Sequence, residues 1–283
     1  MRKNLILAIS AIAMAASITS CTNNDTPSEV SEYITIDAGV GSLIRATSTA
    51  FEADDAVSIY AWTGSTTAVQ TPLVVNNSVN TYDGTKWTAV PQMLWKDQIT
   101  AHYFIGVYPM KEISDFTADS YATTPDLLVA TVLGSGRVAT DGIVPMVFDH
   151  VMAKLMVNLT FRTEFGATTP TVESVTVNAQ PEAVVNYLTK VATADGTATE
   201  VAMTATTANT AYSQIVSPQS IHKITINIGG KAYVYNNTAG FALAGGKIQT
   251  VNLIVGRDEI TLGSVTINDW GTGETIDDGE AMN

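Results

Sequence analysis

The sequence predicts an all-β protein of two β-sandwich domains in series, and three observations carry that prediction. Apolar and polar residues alternate at period two in run after run, the pattern of half-buried strands. Thr, Ala, Val, Ser and Asn dominate, and only 14% of residues are charged, a balance that favours strands over helices. The 283 residues exceed what one sandwich of about 100 residues needs, so two domains are the natural division. No long helix is expected, and at most one or two short turns near residues 111–116.

The chain opens with a targeting pattern rather than a strand. Arg2 and Lys3 precede an almost unbroken apolar run from Leu5 to Ile18, and Ile18-Thr19-Ser20-Cys21 closes it. An aliphatic residue, two small residues and a cysteine are the ending of a bacterial lipoprotein signal, and the run is too short and small-residued for a stable transmembrane helix. Residues 1–20 would leave, and Cys21, the only cysteine, would carry the lipid. The alternative is an ordinary secretory signal with Cys21 a lone thiol. Loss of Arg2 and Lys3 from the 14 basic residues leaves 12 against 27 acidic ones, a net charge of −15. Such a chain is a poor partner for nucleic acid or anionic headgroups, so the lipid itself would provide the anchor.

Residues 21–32 read as a tether, its stretch Thr22 to Ser31 polar with Pro27 and two acids. The first strand follows: Ile34, Ile36, Ala38 and Val40 alternate with Thr35, Asp37 and Gly39. Val57, Ile59 and Ala61 alternate with Ser58, Tyr60 and Trp62 in the next. Tyr82 to Trp87 reads as a strand, a turn at Asp83-Gly84 and a returning strand. His102–Tyr108, Val144–Phe148 and Ala153–Phe161 are further strands. Gly166 to Pro170 looks like a break between halves, giving an N-terminal domain over 33–166 and a C-terminal domain over 167–283. Beyond it lie Val172–Val177, Ile221–Ile228, a Gly229-Gly230 turn, Lys231–Tyr235 and Gln249–Val255, with short strands and loops across 189–211. In the last strand, Ile260 and Leu262 share one phase while Val265 and Ile267 share the other. Gly263 sits at the switch, where a bulge or a crossing between sheets is cheapest. The Gly-rich acidic tail after Trp270 reads as mobile.

The residues resemble a known family. The Cys21 ending, Arg45-Ala46-Thr47 with Phe51 to Asp55 and Val57 to Ala61, and Tyr82-Asp83-Gly84 with Trp87, Gln92 and Leu94-Trp95 appear in order. Phe104 with Val107-Tyr108-Pro109, Phe148-Asp149-His150 with Met152 to Leu155, and Val265, Ile267 and Asp269-Trp270 complete the set. Together they are similar to the fimbrillin-like (Mfa-like) lipoproteins of Bacteroidales, the subunits of type V pili. The resemblance implies two transthyretin-like sandwiches of Greek-key type, a lipoprotein precursor, and a trypsin-like maturation protease that cuts after an arginine, here the Arg45-Ala46 bond. The cut removes the first strand, and a neighbouring subunit fills the groove. By the residues themselves, that cut would release Cys21 together with Ile34, Ile36, Ala38 and Val40. The alternative for Arg45 is a solvated loop arginine. Ile260, Leu262, Val265 and Ile267 have the alternation that a donor strand needs. The partners this implies are other pilin subunits, the protease, the outer membrane through the lipid, and a host or bacterial surface ligand. The location is the cell outer membrane and cell surface, in a fimbrium.

Catalysis is not expected. His102, His150 and His222 each lie in or beside a strand and read as structural. Asp149 and His150 are neighbours on a strand, point to opposite faces and make a poor dyad. No nucleophile elbow, zinc-helix or phosphate-loop motif occurs, and no cofactor or metal is expected. Asp277-Asp278-Gly279-Glu280 lacks the spacing of a calcium loop and reads as a solvated tail. Trp62, Trp87, Trp95 and Trp270 could form a sugar-stacking platform, but their strand positions favour core packing. Trp62, which breaks the alternation, is the one expected at the surface. A pilin or adhesin subunit is therefore the leading reading. A surface glycan-binding lipoprotein that does not polymerise is the alternative.

Overall fold

In the computed structural model, residues 31–41 and 50–270 are described, and almost all of the regular structure is β. The first ten strands are β1 (Ile36–Val40), β2 (Ala56–Thr63), β3 (Val75–Tyr82), β4 (Trp87–Val90), β5 (His102–Tyr108), β6 (Asp119–Tyr121), β7 (Leu128–Arg137), β8 (Val144–His150), β9 (Ala153–Phe161) and β10 (Val172–Ala179). The rest are β11 (Glu182–Asn186), β12 (Val191–Asp195), β13 (Thr199–Ala202), β14 (Thr204–Thr207), β15 (Ala211–Val216), β16 (Ser220–Ile228), β17 (Lys231–Ala242), β18 (Lys247–Val255) and β19 (Ile260–Asp269). The short turn expected near 111–116 forms no helix. Single 3-10 turns occur instead at Ala139–Asp141 and Thr163–Phe165.

Seven strands form the first sheet, in the order β1-β8-β7-β5-β2-β3-β4. Its central strands are buried on both faces. Val57, Ile59 and Ala61 of β2 point into one core with Phe104, Met146 and Phe148. Tyr60 and Trp62 point the other way, into a second core with Ile105, Val107 and Val129. This corrects the expectation for Trp62, which is fully buried. The three-stranded sheet β12-β11-β6 contributes Ala183, Val185 and Ala192 to that second core, and covering this face is what removes Trp62 from solvent. The first sheet curves until its outermost strands approach each other.

The remaining strands make a sandwich of sheets β13-β10-β16-β17 and β14-β15-β9-β18-β19. Leu155 and Val157 of β9, Val251 and Leu253 of β18, and Ile224 and Ile226 of β16 meet in its core. Relative to the division expected at residue 166, β9 lies before it yet pairs with β15 and β18 beyond it. Conversely, β11 and β12 lie after it and pack over the first sheet. Sequence order thus crosses between layers twice.

Turns follow their local chemistry. Gly229 and Gly230, with φ of 58° and 72°, join β16 to β17 in a two-residue hairpin. Asp83 closes the β3–β4 turn, its Oδ1 accepting from Thr85 N, Thr85 Oγ1 and Lys86 N at 2.7–2.9 Å. Those bonds, led by the Thr85 hydroxyl, hold the Asp83 carboxyl down at about 2.

Candidate functional site: the leading and last strands

The leading segment joins both rims of the first sheet. Ile34 N donates to Met93 O at 3.0 Å and Trp95 N donates to Glu32 O at 3.1 Å, with Tyr33 opposite Leu94 in an antiparallel bridge. The chain then runs parallel to β8, from Ile36 opposite Val144 to Val40 opposite Phe148. Val144 N donates to Thr35 O at 2.9 Å, and Gly41 N donates to Phe148 O at 2.7 Å. Even-numbered residues face inward: Ile34 and Ile36 are 1% and 7% exposed, and Ala38 and Val40 are half-buried against the same core. Beneath them lie Met93, Trp95, Val144, Met146 and Phe148.

The last strand is an edge in the second sandwich. β19 pairs antiparallel with β18, and the register slips between Asn252–Ser264 and Leu253–Leu262, which leaves Gly263 as the extra residue. Of the bulge or sheet crossing expected at Gly263, the structure has the bulge, and it realigns the two phases. Ile260, Leu262, Val265 and Ile267 stand opposite Val255, Leu253, Val251 and Gln249, the buried residues of β18. All four therefore share one face. That face is poorly covered: Leu262, Val265 and Ile267 are 42%, 36% and 59% exposed. The strand carries no Lys, Arg or Pro, the residues that usually blunt an exposed edge.

Cys21, Arg45 and Ala46 lie outside the described residues, as does the acidic tail. Chain description stops at Gly41 and resumes at Ala50.

The histidines are dispersed through the fold rather than gathered. His102 is fully buried. Lys96 N donates to its Nε2 at 3.1 Å, and its Nδ1 donates to Thr100 O at 2.7 Å. Burial lowers its pKa, so the ring is held neutral. His150 Nδ1 donates to Asp126 Oδ1 at 2.6 Å, while adjacent Asp149 points away and pairs with Lys190. His222 Nδ1 donates to Asn237 O at 3.0 Å on the surface. Among the described residues, no three His, Cys, Asp or Glu side chains group as metal ligands would. Trp62, Trp95 and Trp270 are buried and Trp87 packs edge-on against Phe51, so the four indoles form no open stacking platform.

Two contacts were missed in the sequence. One is the 32–34 to 93–95 pairing. The other is a stack of His150 on Trp270, with centroids 4.1 Å apart and planes within 7°. Neither has a local signal, since each joins segments far apart in the chain.

This architecture, two layered β units with a first strand paired on both sides and a last strand at a sheet edge, is that of a β-sandwich protein. The fimbrillin-like family model matches residues 45–270, and the chain belongs to that family. Membership carries a structural, non-enzymatic role of pilin or adhesin type at the cell surface, among other pilin subunits. Solved structures agree on the fold. A proposed cell adhesion protein of Bacteroides uniformis has a TM-score of 0.61 at 20% identity, over 84% of this chain and 98% of its own. Another, from Bacteroides ovatus, has 0.64 at 18%, over 84% and 97%. A fimbrial protein of Bacteroides vulgatus has 0.55 at 12%, over 84% and 99%. No curated protein matches the chain.

Proposed function

We propose that this protein is a type V pilus subunit, exported as a lipoprotein through Cys21 to the outer membrane and assembled by strand exchange. A trypsin-like protease cuts Arg45-Ala46, and the leading segment with Ile34, Ile36, Ala38 and Val40 departs. Its loss leaves an apolar groove with unpaired backbone on two rims at once. Both are costly to leave in water, so a strand of matching alternation binds there. The donor is β19 of a neighbouring subunit, which presents Ile260, Leu262, Val265 and Ile267 on one face. A head-to-tail contact of this kind need not close, and it propagates a fibre. A surface ligand would be met by the assembled fibre.

The observation that carries this reading is the leading segment's double pairing, to β8 and to residues 93–95. It fits a plug better than a decorative edge strand. The test is limited trypsin treatment of the purified full chain, followed by N-terminal sequencing and denaturing gels. A new N-terminus at Ala46 with a ladder of oligomers is expected, and Arg45→Gln should abolish both. Cleavage at Ala46 with the protein remaining monomeric would overturn strand exchange.

A further inference from the structure

β19 ends differently from the way it runs. From Leu262 to Ile267 its side chains lie open, yet Trp270 just beyond it is only 6% exposed. Its indole enters the second core with Val151, Met152 and Ile248. The backbone N–H of Trp270 donates to Gly246 O at 2.9 Å, the indole ring lies flat on His150, and Asp269 before it pairs with Lys247. The ladder bonds of an edge strand can be remade elsewhere or with water. The burial of Trp270 cannot, so the strand's hold on its own subunit is concentrated at this one side chain.

The seat of that side chain is also the end of the leading strand's track. His150 is the last residue of β8, the strand on which β1 lies. Its Nδ1 is fixed by Asp126, while its buried Nε2 has no hydrogen-bond partner, so on that side the ring is held by packing alone. A cavity of about 210 Å³ is lined by Gly41, Asp149, His150, Gly246, Asp269 and Trp270, and Gly41 N is bonded to Phe148 two residues before His150. The end of the first strand and the end of the last one therefore line one cavity with this imidazole.

We propose that Trp270 is a latch that keeps β19 on its own subunit while the leading strand is in place, and that His150 couples the two. When β1 leaves, β8 becomes a bare edge, Gly41 is withdrawn from Phe148, and one wall of the cavity is lost. The His150 ring loses its confinement and Trp270 its stacking partner, which loosens β19 once its own subunit has an empty groove. The consequence for assembly rests on β19 being the donor. The latch itself does not.

Hydrogen exchange over residues 260–269 of the intact full chain tests it, with Trp270→Ala, His150→Gln and Ala38→Asp, the last of which loosens β1 at its inward face opposite Met146, four residues before His150. Each variant should exchange about tenfold faster than wild type across 260–269, while the buried strands β9 and β16 stay protected. Unchanged exchange in Trp270→Ala overturns the latch, and unchanged exchange in Ala38→Asp overturns the coupling. Should Trp270→Ala lose protection in β9 as well, His150→Gln decides the latch in its place. Rapid exchange in β19 with no oligomers after trypsin would sink the donor assignment and leave the latch standing.

Discussion

Gly106 shows how tightly single positions are set. It lies in β5 where a Cβ would meet Phe148 Cζ at 2.6 Å and Met146 Cε at 3.0 Å. Gly106→Ala should lower stability by about 1–3 kcal/mol through overpacking, read as a shifted urea midpoint at constant slope. Gly39 is the contrast: its Cβ would touch nothing within 4 Å. Gly39→Ala should be neutral or stabilising, by up to about 1 kcal/mol. Acid should act through turn carboxylates. Asp83 and Asp97 are both held at about 2 from 3.8, each led by a threonine hydroxyl, of Thr85 and Thr100 respectively. Their folded pKa values are depressed, so the unfolded chain takes up protons first. The stability they give is complete above pH 4 and is lost as pH falls toward 2. Asp97→Asn should flatten that part of a pH–midpoint curve. At this scale the sequence was readable where chemistry is local. Asp83-Gly84 announced its turn because every bond of the turn is made within three residues. Trp62 was misjudged because the sheet that covers it comes from residues 182–195, more than a hundred positions later.

Between elements, the leading segment and β19 should respond to truncation to different degrees. Ile34 is 1% exposed and packed on the first core, so Ile34→Ala should cost about 2–5 kcal/mol in a denaturant melt. Leu262 is 42% exposed, so Leu262→Ala should move the same melt by about 0.5 kcal/mol at most, yet it should weaken oligomer ladders after trypsin. A Leu262→Ala chain that polymerises as wild type does would argue against β19 as donor. Both strands were visible in the sequence, because period-two alternation depends only on having one buried face. Their partners were not. The parallel pairing of β1 with β8 and the strand order of either sheet are set by which apolar faces fit, and a single run of residues does not encode that. Gly263 is the intermediate case: the phase switch was readable, but only the register against β18 shows that the bulge unites four residues on one side.

Over the molecule as a whole, a polar cluster ties the small sheet to the large one. Tyr60 Oη donates to Lys111 O at 2.7 Å and accepts from Ile113 N at 2.8 Å. Tyr121 and Tyr187 hydroxyls lie 2.7 Å apart, Tyr187 donates to Asp119, and Lys111 pairs with Asp119 beneath the Tyr121 ring. Burial pushes the Tyr60 and Tyr121 phenols up to about 12 and raises Tyr187 further. Folded pKa values above the unfolded 10.0 mean that the unfolded chain loses protons first. Stability should therefore be full below pH 10 and decline between pH 10 and 12, checked by thermal melts, with Tyr121→Phe making the decline shallower. The all-β class was evident from composition and alternation. The way the chain passes β9 into one layer and β11 into the other was not, since no turn signal marks a change of sheet. The double pairing of the leading segment has a further consequence for synthesis and export. Tyr33 needs Leu94, 61 positions on, and Ile36 needs Val144, 108 positions on. A nascent chain emerging from its amino end has nowhere to dock these residues until half of the polypeptide has appeared. The earliest-made strand is the last to find its berth in the first sheet, and until then that sheet stays unsealed.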